Sequence, residues 1–211
     1  MITRSRPLHT GRLVLTPCDP EQTIALGRLA DTLRGVGFLG PALPGHSKAF
    51  EIGEHFLQLM AFTGCATQLA SAPNHLDGNS VHIRLACTAA TPRLLAGRNT
   101  RPPRCPSCGK ALTDWRDQIQ SGQSGQAPEL HCPHCATTAP GWRWNWRLHG
   151  GFGRSFVLVE EVFPGEGAPL PTLLNALRDL GVGDWHHFYV QEGLAVSGLA
   201  PGAIVRCDCA D

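Results

Sequence analysis

Hydrophobic and polar positions divide the 211-residue chain into two apolar stretches separated by a polar, cysteine-bearing middle. GRLVLT at 11–16 reads as a short strand. Asp19-Pro20-Glu21 then supplies a cap residue with proline at the first helical position, which predicts a helix running to Arg34. Ile24, Leu26, Leu29, Ala30 and Leu33 give that helix one apolar stripe, and Gly35 is its expected stop. A second helix is expected over 54–63. Its Phe56, Leu57, Leu59, Met60 and Phe62 are too many for a single-sided surface helix, so it should be sandwiched.

After a polar loop at 71–79, Val81, Ile83, Leu85 and Cys87 alternate with His82, Arg84 and Ala86, the period-two signature of a half-buried strand. The run Ser155-Phe156-Val157-Leu158-Val159, continued by Val162 and Phe163, is nearly unbroken and predicts a central strand. Pro164-Gly165-Glu166-Gly167 punctuates it. A helix is expected over 171–180, with Leu173, Leu174, Leu177 and Leu180 on one face and Gly181 as its stop, and a last strand over 184–191 through Trp185, Phe188 and Val190. With the middle segment removed, this order resembles the split β-α-β pattern of ferredoxin-like folds. The expected architecture is therefore an α+β body whose halves are 1–91 and 151–211, with a separate module inserted at 92–150.

The charge distribution sets that module apart. Across residues 88–159 there are nine basic and three acidic side chains, a net +6 within a chain whose total is +1, so the remainder carries −5. A basic insert on an acidic body is an electrostatic pointer to a partner. Sixteen of the basic residues are arginine in an Ala-, Gly- and Pro-rich chain, a usage that suggests a GC-rich bacterial gene. No apolar run has signal-peptide or membrane-span length, so the reading is a cytoplasmic protein with no membrane partner.

The insert carries the clearest chemistry. Cys105-Pro106-Ser107-Cys108-Gly109 and Cys132-Pro133-His134-Cys135-Ala136 are both C-P-x-C turns. Each such turn aims two thiolates at one cation while nearby backbone N–H groups can bond the sulfurs, and two together complete a tetrahedron. Gly109 suits the tight backbone after the first turn, and the connection 121–126 (SGQSGQ) absorbs length. Over residues 103–146 the chain resembles a zinc ribbon. That resemblance implies one structural Zn2+ held by Cys105, Cys108, Cys132 and Cys135, with no open position for activating water, in a module used more often for binding nucleic acid or protein than for catalysis. His131 and His134 lie beside the ligands as lesser alternatives to a cysteine. An iron site or a redox pair fits less well, because a redox C-x-x-C expects one pair at a helix N-terminus.

Trp142-Arg143-Trp144-Asn145-Trp146-Arg147 alternates, so on a strand three indoles would share one side. Facing solvent, they would stack unpaired bases; facing inward, they would fill a small core. Arg93, Arg98, Arg101 and Arg104 have no acidic neighbour between 88 and 113 and could follow phosphates. Arg98, Arg101, Arg104, Arg143 and Arg147 are accordingly the candidate contacts for nucleic acid or a protein partner. The competing reading is an enzyme or metal-handling factor in which the ribbon is only a structural lobe. Its chemistry would come from Glu160, Glu161 and Glu166 with His186 and His187, or from Cys65, Cys207 and Cys209. Strand alternation would put the two histidines on opposite faces, which counts against a shared site. Cys18 and Cys87 read as small core residues.

Overall fold

A computed structural model describes residues 11–46, 48–63, 81–87, 91–121 and 128–191. Among them the elements are β1 (Gly11–Pro17), α1 (Leu26–Gly35), β2 (Leu39–Ala42), β3 (Ala49–Ile52), α2 (Phe56–Leu59), β4 (Met60–Phe62), β5 (His82–Cys87) and β6 (Arg93–Ala96). They continue with α3 (Trp115–Ser121), β7 (Glu129–His131), β8 (Thr138–Pro140), a 3-10 turn (Gly141–Arg143), β9 (Gly150–Gly153), β10 (Ser155–Glu160), β11 (Gly167–Pro169), α4 (Pro171–Arg178) and β12 (Trp185–Gln191). None of these helices is long and apolar enough to cross a membrane.

The architecture is mixed and dominated by a six-stranded sheet, ordered β12-β1-β10-β5-β3-β2. Every pairing in it is antiparallel. β10 lies in the middle and all six of its side chains are buried, the position its unbroken apolar run requires. Alternation then divides the strands between two cores. Leu13, Leu15, Ile83, Leu85, Val157, Val159 and Tyr189 face α1 and α4, whose Leu29, Leu33, Leu173 and Leu177 close the larger core. Val14, Phe156, Leu158, Phe188 and Val190 face the opposite side.

Three expectations about the helices needed correction. α1 begins at Leu26, not near Pro20, because the Asp19 carboxylate accepts the Glu21 N–H and the Gln22 amide and so closes a local turn of its own. Its stop is Gly37 rather than Gly35. Gly37 has φ +72, its N–H donates to Arg34 O, and the Phe38 N–H donates to Leu33 O, the paired bonds of a Schellman motif. The helix expected over 54–63 is a single turn, α2, after which Met60–Phe62 extends as β4 and pairs with β11. Apolar residues at consecutive positions suited that turn-to-strand switch as well as a buried helix.

β2 and β3, with Leu39, Ala49 and Phe50 buried, add a hairpin to the sheet edge that the sequence pattern did not reveal. Cys87 is buried as expected but is disulfide-bonded, so it is not a free thiol, whereas Cys18, read as a core residue, is exposed.

The polar middle of the chain leaves and returns through β6 and β9, a two-stranded ribbon. This ribbon lies close on the second face of the sheet. A Cβ on Gly151 would meet the Phe188 ring at 2.5 Å, and one on Gly153 would meet Thr16 Oγ1. Segments flanking the ribbon also cover the outer edge of β12, where the Tyr189 N–H donates to Leu148 O and the Gln191 N–H donates to Asn99 Oδ1. A strand edge that would otherwise offer free backbone donors is thus occupied.

Candidate metal centre and its basic flank

The two C-P-x-C segments fold into the same turn twice. In the first, the Cys105 N–H donates to Lys110 O and the Gly109 N–H donates to Cys105 O; in the second, the Cys132 N–H donates to Thr137 O and the Ala136 N–H donates to Cys132 O. Residues at matching positions carry matching bonds. The leading cysteine of each turn is buried and the trailing one exposed. Both turns also need a left-handed residue after the trailing cysteine, and Gly109 (φ 71) and Ala136 (φ 57) supply it.

The turns face each other, and the four sulfurs lie within 4.8 Å of one another. Cys105 Sγ is 3.6 Å from Cys135 Sγ, and Cys108 Sγ is 3.7 Å from Cys132 Sγ. A tetrahedral ion with sulfur at about 2.3 Å would set sulfur–sulfur edges of about 3.8 Å, so the donor set already has the dimensions of a four-thiolate site. The Ser107 N–H points at Cys105 Sγ from 3.4 Å, an outer bond of the kind that favours thiolate. As free thiols the four would not ionise alike. Cys135 is pulled down to about 6, chiefly by the hydroxyl and N–H of Thr137. Cys108 is held at about 11: the Lys110 N–H acts to lower it, but desolvation and the other three sulfurs, which accept a hydrogen bond from its S–H and so favour the protonated form, prevail. A bound cation removes this ordering by deprotonating the whole set.

His131 and His134 stay out of the cluster: the His131 Nδ1 lies 3.1 Å from Thr138 Oγ1, and only cysteines form the metal-competent group among the described residues.

A core behind the sulfurs holds the turns in place. Leu112, Trp115, Leu130, Trp144, Trp146 and Phe152 are buried together against Cys105 and Cys132. Trp115 and Trp146 meet edge to face at 5.1 Å, and Trp146 meets Phe152 at 5.8 Å. The indole N–H groups of Trp144 and Trp146 donate to Ala139 O and Gly141 O. Of the two orientations open for the tryptophan segment, the inward one is adopted. Trp144 and Trp146 are buried and Trp142 is half-buried, so the indoles do not form an exposed stacking platform. The segment is also not a regular strand: Trp142 sits in the 3-10 turn, and only Asn145 bridges to a neighbour, Arg104. Trp115, at the head of α3, is the largest fully buried side chain of the molecule among the described residues. Nothing singled it out in the sequence, where it stands alone amid polar residues.

The candidate basic residues divide by position. Arg98, Arg101, Arg104, Arg143 and Arg147 are all exposed, and none makes an ion pair with any described residue. Arg104 donates to Gly109 O and so braces the first turn. Arg101 and Arg147 act together on His149, whose pKa is lowered first by desolvation and then by these two positive charges.

Among the described groups named for alternative chemistry, Glu160, Glu166, His186 and His187 do not converge. Glu160 is buried between Arg12 (3.0 Å) and Arg84 (3.3 Å), and Glu166 accepts the Phe163 N–H in a turn. His186 stacks beside Phe188 and His187 beside Tyr189, on opposite faces of β12. Cys65, Cys207 and Cys209 lie outside the described residues. Comparison with protein-family models, with curated proteins and with solved structures finds no match for this chain.

Proposed function

We propose that this is a zinc-binding adaptor protein, in which Cys105, Cys108, Cys132 and Cys135 hold one structural Zn2+ and the basic ribbon it stabilises binds nucleic acid. The observation that carries the metal assignment is the four-sulfur geometry, whose edges suit tetrahedral zinc. Four thiolates fill the coordination sphere. When bound, the ion therefore supplies folding free energy and leaves no site for activating water. The chain's own residues do the rest: the Trp115–Trp146–Phe152 core orients the two turns, and the exposed Arg98, Arg101, Arg143 and Arg147 make no ion pair with any described residue.

The fold reading is a ferredoxin-like body with the zinc ribbon inserted at 92–150. Its support is the strand order β12-β1-β10-β5, in which the outer body strands alternate with the inner ones as in a split β-α-β sheet, with β2 and β3 as an edge extension. Against an enzyme stands the engagement of Glu160 by two arginines and the separation of His186 from His187.

Binding of the zinc-loaded protein to a single-stranded oligonucleotide, followed by fluorescence anisotropy across a salt series, tests this function. Log K is expected to fall with log salt at about −0.7 per phosphate neutralised, for roughly three to five phosphates. Absence of binding at low salt, where the attraction is strongest, would overturn nucleic acid as the partner and leave a protein partner in its place.

A further inference from the structure

We infer that Arg101, Arg147 and His149 form a cradle for a single phosphodiester group, at the seam where the ribbon meets the outer edge of β12. The inference rests on the nucleic-acid reading above and specifies where and how the strand is held.

Two chain segments build the seam. The Thr100 hydroxyl donates to His149 O at 2.6 Å, and Arg104 and Asn145 exchange two backbone hydrogen bonds at 3.0 Å, so residues 100–104 run antiparallel beside 145–149. This register places Arg101 next to the Arg147–His149 stretch. Thr100 is itself tied by the Gly97 N–H to its hydroxyl, and Leu148 O is tied to Tyr189 of β12, so both segments are anchored to rigid neighbours. Arg147 takes a left-handed φ of 54, with its N–H held by Asn145 Oδ1. The backbone is committed there although arginine ordinarily avoids that conformation.

The electrostatics have one sign. Arg101 and Arg147 are exposed and unpaired with any described residue, and both push positive potential onto the partly buried His149 imidazole. Two guanidinium groups that both act on one imidazole, and that pair with no carboxylate among the described residues, favour the approach of an anion. A phosphodiester fits this arrangement, since it offers one negative charge and acceptor oxygens to planar N–H forks on two sides. The burial of Trp144 and Trp146 removes those indoles as stacking partners and favours backbone over base recognition. Exposed Leu148 beside the cradle (48%) supplies an apolar shoulder, not a base-reading group.

The test uses the full zinc-loaded chain, fluorescein-labelled oligothymidylate and an abasic phosphodiester strand of the same length. Arg101→Ala/Arg147→Ala is expected to weaken binding roughly tenfold or more and to reduce the salt slope by about 0.7, the loss of one phosphate contact. Arg178→Ala, on the body, should change neither. The abasic strand should bind as well as oligothymidylate, and the His149 ring resonance should move on titration with either. Retained binding by the double variant, with Arg98→Ala/Arg143→Ala weakening it instead, would overturn the cradle while leaving the nucleic-acid reading intact. Failure of the abasic strand to bind would overturn backbone recognition. Displacement of the strand by polyglutamate at equal charge would overturn the phosphate assignment in favour of a carboxylate-rich protein partner. Wild-type protein that ignores the oligonucleotide at low salt would sink both this inference and the reading it rests on. Unchanged zinc content and circular dichroism identify a folded variant.

Discussion

Gly109 and Ala136 occupy equivalent positions in two copies of one turn, and both adopt left-handed backbone, at φ 71 and 57. The glycine does so without steric cost, whereas the alanine carries its Cβ against the preceding carbonyl, a conflict worth about 1–2 kcal/mol. The second metal turn is therefore strained where the first is not.

Ala136→Gly should relieve that strain and raise ribbon stability, by up to about 1 kcal/mol after the entropy of the added glycine is subtracted. Gly109→Ala should lower it by about 1–2 kcal/mol. A Cβ at 109 meets nothing within 4 Å, so that cost is purely conformational. Chelator-competition midpoints for the two variants would read the difference, and the same sign for both would contradict the account.

Cys108→Ser should unfold the ribbon and leave much of the body folded. Hydrogen exchange should become fast in α3, β7 and β8 but stay slow in β1 and β10, whose buried core lies elsewhere. Uniform loss of protection across both groups would show that body and ribbon fold as one cooperative unit.

Trp146→Ala removes an edge-to-face partner of Trp115 and Phe152 and a hydrogen bond to Gly141 O, and should cost about 3–5 kcal/mol. Because Trp115, Trp144 and Trp146 are buried, acrylamide should quench little of the wild-type tryptophan fluorescence, and oligonucleotide binding should leave it nearly unchanged. Strong quenching by either would mean that the indoles are exposed after all.

Low pH should destabilise the fold through histidine. Burial lowers His186 and His187, and His187 further opposes charge on His186. A folded-state pKa below the unfolded value of about 6.5 means that the unfolded chain binds the proton first. Stability is then complete above about 6.5 and is lost as pH falls through the depressed folded values. Denaturant midpoints should fall below that pH, and His186→Gln should flatten the dependence. A profile that is unaltered by this substitution would contradict the assignment.

How much of this was legible in the sequence depended on whether a signal was local. The cysteine pairs were legible because C-P-x-C is a self-contained turn, and the β10 run was legible because a strand buried on both faces has an unmistakable composition. The start of α1 was misread because Asp19 can cap a turn as readily as a helix, and distant groups, the Ser155 hydroxyl receiving the Ile24 N–H and the Arg154 guanidinium donating to Glu21 O, fix that segment in its extended course. Trp115 was missed because burial of a lone tryptophan is decided by long-range packing. The seam of Arg101 with Arg147 was invisible for the same reason: the residues are 46 positions apart in number and are joined only by the pairing of residues 100–104 with 145–149.

The central claim is a closed four-thiolate zinc site, and X-ray absorption at the zinc edge of protein purified from metal-replete cells tests it most directly. The account predicts about one zinc per chain with four sulfur neighbours at about 2.3 Å and no nitrogen or oxygen shell at shorter distance. Iron in place of zinc, a stoichiometry near zero, or a mixed sulfur and nitrogen shell would contradict it.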